Sequence, residues 1–387
     1  MKNIIIRAPL LTYSGYGTHS RQIFRWLLER HGNCNIFTSV VPWGITPWMV
    51  NPDLSNGLVA EIMGRSSNPP AKCDISIQVQ LPNEWDPGLA KFNVGVSAVV
   101  ETDICNPEWI NACNRMDCII VPSNHVKNVI QASGECTTPI HVVHESFYDD
   151  IAKSDLEPLQ LDIDTDFNFL IVGQVTGNNP RNDRKNTFNA IKWICEEFKD
   201  DPNVGIVLKT NSGRNTRIDR KITERLVSQL LSEVRPGPYP KVHLLHGALS
   251  DNEMARLYLN KRVKALVSLT RGEGFGLPIL EAAASGLPVI ATSWSGHLDF
   301  LRLGKYISVN YELKQVDQSR VDNSIFMEGS RWAEASESHA KARLKKFRDR
   351  PDIPQTWAAS LREKLLTSFS QKNICDEYDK VLGEFLR

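Results

Sequence analysis

One pattern constrains this chain more than any other. A short apolar run, a polar loop and an amphipathic helical stretch follow one another, and the series runs twice. Such alternation builds parallel sheets flanked by helices, because parallel neighbours need a crossover and the crossover is usually a helix. The first series opens with Ile4-Ile5-Ile6, a loop from Ala8 to Gly17, and a helix from Ser20 to Arg30 in which Ile23, Trp26 and Leu27 fall at i, i+3 and i+4. Strands are expected at Asn35–Val41, Ile75–Gln80, Asn93–Val100, Cys118–Pro122 and Ile140–Val143, and helices at Pro107–Asn114 and Ser123–Ala132. Residues 150–166, rich in Asp, Glu and Pro, read as a linker. The second series has strands at Phe167–Gly173, Val204–Leu208, Val242–Leu245, Ala265–Leu269 and Pro288–Ala291. Its helices are expected at Lys185–Phe198, Ile218–Glu233, Asn252–Asn260 and Pro278–Ala284. Pro354–Arg387 is again helical in pattern. The expected class is α/β, with two doubly wound halves. In open sheets of this kind ligands bind outside the carboxyl ends of the strands.

The length of 387 residues suits two domains at roughly 100–200 residues each. Positive and negative side chains cancel, 45 against 45, which argues against a chain coated in basic surface but permits a local basic groove. No run approaches the roughly 18–20 apolar residues of a membrane span, and the apolar run after Met1 is too short for a signal peptide. No integral membrane segment is expected, and a soluble, cytoplasmic location is. The eight Cys show no CxxC spacing and several lie in apolar runs, as buried thiols of a reducing compartment do. Neither they nor the nine His cluster at ligand spacing, so no metal site is expected.

The most informative stretch runs from Thr270 through Gly272-Glu273-Gly274-Phe275-Gly276-Leu277-Pro278-Ile279-Leu280-Glu281 to Thr292. It follows an apolar strand. Gly272, Gly274 and Gly276 let backbone approach a ligand closely. Pro278 suits the first turn of a helix. The N–H groups at that start, around Gly276 and Leu277, suit an anion such as a diphosphate. Glu273 and Glu281 bracket this anion site, which makes chemical sense if they accept from sugar hydroxyls.

Glu273-x7-Glu281, with the residues between and the run to Thr292, closely resembles the Glu-x7-Glu motif of retaining glycosyltransferases of the GT-B fold, the glycogen-synthase and mannosyltransferase type. Phe169–Gly173, Arg184-Lys185-Asn186, Val242–Gly247 and Ser250–Tyr258 are similar to the strands, basic turn and helix that accompany it. The resemblance implies two Rossmann-like domains facing across a cleft. Residues 1–155 form the acceptor domain and 165–353 the donor domain, while helices over 354–387 pack back toward the first. It implies that Glu273 lies beside the transferred sugar and that Glu281 binds the ribose hydroxyls. Gly274, Phe275, Gly276 and Leu277 line the sugar and phosphate, and Lys185 neutralises the leaving diphosphate. The family usually has an Arg after the strand glycine, where this chain has Gln174; Arg184 is the expected substitute. Asp299 stands near the position of a family Glu.

In the first half, Thr12 to Ser20 occupies the place of the family's Gly-rich loop, making Gly15 and Gly17 candidate donor contacts. His19 is a candidate for phosphate or for the helix start. Glu101 ends a strand near where many relatives carry a His, so no catalytic His is carried over. Glu101, His144, Trp85 and His19 are acceptor candidates, with local hydrogen bonding as the alternative for Glu101 and His144 and a core position for Trp85.

The chemistry implied is transfer of a sugar from a nucleoside-diphosphate donor, UDP-sugar first, to a hydroxyl, with retention and without a metal or other cofactor. Lys185, Arg184 and the Gly276–Leu277 amides stabilise the leaving group. A glycan or small molecule is the expected acceptor. Arg7–Leu11, Ser14–Gly17 and Pro82–Trp85 are similar to glycosyltransferases of tailed phages, some of which modify hydroxymethylated DNA bases. DNA is therefore a possible partner, through Lys209, Arg214, Arg217, Arg220, Lys221 and Arg225, or through Lys341, Arg343, Lys345, Lys346, Arg348 and Arg350. A nucleotide-sugar-binding protein without turnover is the remaining alternative, and the intact Glu273/Glu281 pair counts against it.

Overall fold

The computed structural model describes residues 1–66, 69–177, 179–211 and 213–387. Two compact units divide the chain. One comprises Met1–Ser146, Asp322–Met327 and Phe369–Arg387, the other Phe147–Val321 and Glu328–Ser368.

The first unit contains β1 (Asn3–Ala8), α1 (Gly15–Arg30), β2 (Asn35–Val40), α2 (Leu58–Gly64), β3 (Cys73–Val79), β4 (Ala90–Val96), α3 (Pro107–Cys113), β5 (Cys118–Val121), α4 (Asn124–Ser133) and β6 (Ile140–Val142). Its six strands are parallel, in the order β2-β1-β3-β4-β5-β6. Ile4, Ile5 and Ile6 are all buried, as suits a central strand covered on both faces. Helix α1 begins at Gly15, ahead of the expected Ser20. The Ser14 hydroxyl caps it by accepting from the Gly17 amide at 2.9 Å. The expected loop therefore stops at Ser14, and Gly15 and Gly17 lie in the helix's first turn. Strand β4 ends at Val96 and not at Val100, and Val99 stands at φ +42° beyond it. That conformation is rare for a β-branched residue.

The second unit contains β7 (Phe167–Val172), α5 (Thr187–Glu197), β8 (Val204–Thr210), α6 (Arg217–Val234), β9 (Lys241–His246), α7 (Asp251–Tyr258), β10 (Val263–Ser268), α8 (Leu277–Ala284), β11 (Val289–Thr292), α9 (Leu298–Leu301) and β12 (Ile307–Val309). The antiparallel hairpin β13 (Tyr311–Gln315) and β14 (Arg331–Ala335) follows, with α10 (Glu337–Asp349) and α11 (Asp352–Ser368). Its six-stranded parallel sheet has the order β12-β11-β10-β7-β8-β9. Helix α11 lies on α8 in this unit. The last helix, α12 (Gln371–Leu386), belongs to the first unit. There Tyr378 stacks on Trp26 at 5.0 Å, and the Trp26 indole donates to Asp379 at 2.8 Å. The class is the expected α/β, with two parallel six-stranded sheets. Among the described residues no helix is long and apolar enough to cross a membrane.

Candidate active site

In the second sheet β7 and β10 are neighbours, but the strands that follow them, β8 and β11, lie on opposite sides. The loops after β7 and β10 must therefore diverge at their carboxyl ends, which makes this the topological switch point of the sheet. Lys185 comes from the first loop and Glu273 from the second. The Lys185 ammonium donates to both Glu273 oxygens, at 2.7 and 2.8 Å. Arg184 stands 3.7 Å from the same carboxylate and donates to the Gly272 carbonyl at 2.8 Å. Glu273 is only 7% exposed. Burial alone would raise its pKa, but Lys185 and Arg184 outweigh burial and hold it at about 2.

Buried polar groups fix the backbone beneath this pair. The Asp183 carboxylate accepts from the Thr187 amide at 2.7 Å and the Thr176 hydroxyl at 2.8 Å, tying the loop to the start of α5. Arg271, 3% exposed, forks onto Glu334 at 2.7 and 2.9 Å and donates to the Pro180 and Asp183 carbonyls. Its guanidinium also lies 5.2 Å from the Trp332 ring centre. The Arg271 amide donates to the Arg184 carbonyl, so both loops are joined through main chain as well. The hairpin β13–β14 thus serves the site through Glu334 and Trp332.

A third segment steadies Glu273. Its amide donates to the Ser295 hydroxyl at 2.9 Å. The Ser295 hydroxyl lies 3.4 Å from His297 Nδ1, and His297 Nε2 is 2.7 Å from the Thr292 carbonyl. A carbonyl only accepts, so Nε2 carries the proton; Nδ1 then accepts from Ser295. Burial lowers the His297 pKa, which keeps this relay neutral. A Cβ on Gly296 would come within 2.1 Å of the Gly274 carbonyl, so the two turns meet only because the residue is glycine. Gly276 caps α8 at φ +103°, a conformation that favours glycine. Phe275 and Leu277 are buried, with Phe275 edge-on to Phe300 at 5.3 Å.

Glu281 lies on α8, among buried apolar neighbours. It is 2% exposed, and its Oε2 accepts from the Tyr258 hydroxyl at 2.8 Å. Burial pushes its pKa up to about 8, against hydrogen bonds from Tyr258 and Tyr148. The two glutamates of one motif therefore sit in opposite electrostatic surroundings.

In the first unit the strand order places the switch point between β1 and β3, beside the first turn of α1. Gly15 is exposed there, with open space around its Cα. Gly17 is committed to packing: a Cβ would lie 2.2 Å from the Thr12 carbonyl, and its amide is held by Ser14. Tyr16, between them, stacks on Trp43 at 3.9 Å and is 3.1 Å from the Ser97 hydroxyl. Burial raises the Tyr16 pKa, and the charge of half-buried Glu101 adds a little to the rise.

Two candidates leave the surface. Trp85 is 5% exposed, its ring against Gly95, where a Cβ would stand 2.7 Å away. It is a core residue and stacks on nothing external. His19 is 4% exposed and 2.9 Å from the Tyr378 hydroxyl, with its pKa pushed down to about 3 by burial. Through that hydroxyl it ties α1 to α12. His144 is half-buried, 3.7 Å from Glu377 and edge-on to Phe369. Lys209, expected on a basic surface, is 5% exposed; it donates to Asn211 and Gly247, and burial lowers its pKa to about 8. In α10, Lys341 pairs with Glu196 and Glu337 and Arg348 with Asp201, and just beyond it Arg350 pairs with Asp352. Sequence reasoning missed Asp183, Arg271, Ser295, His297, Tyr148 and Tyr258. Only the spacing of Ser295-Gly296-His297 after a strand hints at any of them.

The fold is that of the GT-B glycosyltransferases, two Rossmann-like units in one chain. Residues 238–318, covering β9 to β13, match the family described as glycosyl transferases group 1. The chain is 26% identical over 163 residues to sucrose synthase of Melioribacter roseus, covering 39% of this chain and 20% of that protein. It is 26% identical over 204 residues to a probable sucrose-phosphate synthase of Thermosipho melanesiensis, covering 50% of this chain and 40% of that one. The matches thus span a fifth to two fifths of these relatives. HepE of Anabaena, solved with UDP and glucose, shares the fold at a TM-score of 0.61 and 15% identity, over 99% of this chain and 100% of its own.

Proposed function

We propose that the chain is a retaining glycosyltransferase that moves a sugar from a nucleoside-diphosphate donor to a hydroxyl acceptor. The observation that carries this reading is the ion pair of half-buried Lys185 with buried Glu273 at the switch point, beside the Gly276–Leu277 start of α8. Breaking the bond between an anomeric carbon and a phosphate oxygen leaves negative charge on the diphosphate and positive charge on the sugar. Lys185, Arg184 and the amides at the start of α8 are suited to the first, and the ionised Glu273 to the second. The acceptor hydroxyl attacks on the face the diphosphate leaves, and its proton passes to the departing phosphate oxygen. The bonds balance without a metal or a redox partner.

Gly274 to Leu277 supply backbone to sugar and phosphates, and Gly15 an approach in the first unit. Glu281 takes the ribose hydroxyls in place of the tyrosine hydroxyls. UDP in the HepE structure makes UDP-sugars the first donors to try. The acceptor is a glycan or a small molecule. DNA is less well supported, because Lys209 is buried and Lys341, Arg348 and Arg350 are paired within the chain.

The test is a thermal-shift screen with UDP-, GDP- and ADP-sugars, where a donor at 100 times its Kd adds roughly 2.7 kcal/mol. NMR of the product then reads the anomeric configuration. Absence of any shift defeats the transferase reading, and an inverted product defeats retention.

A further inference from the structure

Helix α6 presents an outward face that the donor chemistry does not use. Its buried side is Thr223, Val227 and Leu230. At about 100° per residue, the opposite pole falls on Ile218, Lys221 and Arg225, flanked by Arg217 and Ile222. Ile218 is 70% exposed and Ile222 55%, so two bare isoleucines stand one turn apart on the solvent side. Arg214, Arg217, Lys221 and Arg225 are exposed around them. The two acids of the stretch are spent internally. Asp219 accepts from the Thr216 hydroxyl and amide and from the Arg214 amide, and Glu224 pairs with Arg220 at 2.8 Å. The face therefore sets two bare isoleucines side by side with a row of cations.

We propose that this face of α6 docks the protein on an anionic lipid surface. Ile218 and Ile222 enter the acyl boundary, while Arg214, Arg217, Lys221 and Arg225 reach lipid phosphates with their stems alongside. Such a helix lies on the interface and does not span it. The isoleucines favour lipid over nucleic acid, because methyl groups add nothing to phosphate binding along a duplex, whereas they add burial in a bilayer. This inference is independent of the glycosyl-transfer reading.

The test is cosedimentation of the full chain with vesicles of equimolar phosphatidylcholine and phosphatidylglycerol, against pure phosphatidylcholine. Binding is expected to the mixed vesicles only and to weaken with salt. Ile218→Ser with Ile222→Ser should abolish most of it. Lys221→Gln with Arg225→Gln should lower it about twenty-five-fold, at about fivefold per cation. All these positions are exposed, so thermal melts should match the parent chain, and donor-induced shifts should be unchanged. Absence of binding to mixed vesicles overturns the proposal, as does binding that both double variants retain. Salt-sensitive binding to duplex DNA without vesicle binding, or a dimer that the isoleucine variant dissolves, overturns it too.

Discussion

Glu281→Gln separates the electrostatic account of the site from its catalytic role. The side chain is buried under Tyr258 and Tyr148, and its pKa is pushed from 4.5 to about 8. Below about pH 4.5 folded and unfolded chains both hold the proton, and the pocket costs nothing. As pH rises the unfolded chain releases its proton first. Stability then falls by about 1.4 kcal/mol per pH unit until the folded group ionises near pH 8. The accumulated cost is about 5 kcal/mol, and about 3 kcal/mol of it is present at neutral pH. Glutamine keeps the shape and an acceptor for the Tyr258 hydroxyl but has no proton to lose. The variant should therefore match the parent near pH 3.5 and exceed it by a few kcal/mol near pH 8. Urea denaturation followed by circular dichroism across that range reads the difference. Parallel profiles, or a variant less stable than the parent near pH 8, would refute the reasoning. Because ribose hydroxyls donate to an ionised carboxylate, the same variant should bind donor more weakly while being more stable.

Further outcomes follow from the same geometry. Lys185→Met leaves the Glu273 carboxylate buried beside Arg184 alone, and should cost about 3 kcal/mol in urea denaturation; adding Glu273→Gln should recover part of that loss without recovering turnover. Arg271→Lys keeps the charge but loses the fork on Glu334 and the carbonyls of Pro180 and Asp183, and should cost about 2–3 kcal/mol. A soluble, fully stable Lys variant would show that the loop is held by other means. Gly17→Ala drives a methyl to 2.2 Å from the Thr12 carbonyl and should impair folding, measured as soluble yield and melting temperature. Gly15→Ala meets open space and should fold normally, so any activity it loses reports a ligand contact.

The sheets are legible in the sequence because parallel strands covered on both faces leave near-continuous apolar runs such as Ile4–Ile6 and Phe169–Val172. The start of α1 is not, because glycines at 15 and 17 lower helix propensity and hide the cap that Ser14 provides. For Trp85 the sequence leaves both an acceptor contact and a core position open, and only Gly95, which makes room for its ring, shows the core position. The short hairpin β13–β14 carries few apolar residues, yet it supplies Glu334 to Arg271. Contacts of that kind join residues 63 positions apart and leave no local signal. Lys209 has the same difficulty: it ends a buried strand, and only the meeting of its ammonium with the Gly247 carbonyl shows that it faces inward.

The motif itself shows most sharply where sequence stops. Glu273 and Glu281 are the same residue type, eight positions apart, and spacing treats them as a pair. Their surroundings do not. Glu273 stands at the divergence of two loops, where Lys185 and Arg184 arrive from the other loop and keep it ionised. Glu281 lies one turn farther into α8, where the neighbours are hydroxyls and apolar side chains, and the neutral form is favoured near pH 7. Two carboxyls with pKa values pushed apart in this way are suited to different tasks. A fixed negative charge serves a developing positive centre, and a carboxyl that ionises when hydroxyls donate to it serves recognition. Donor binding that places ribose hydroxyls on Glu281 should then release a proton near neutral pH. Calorimetry in two buffers of different ionisation enthalpy would measure that release. Equal heats in both buffers would mean that Glu281 keeps its proton when donor binds, and that the ribose contact is made elsewhere.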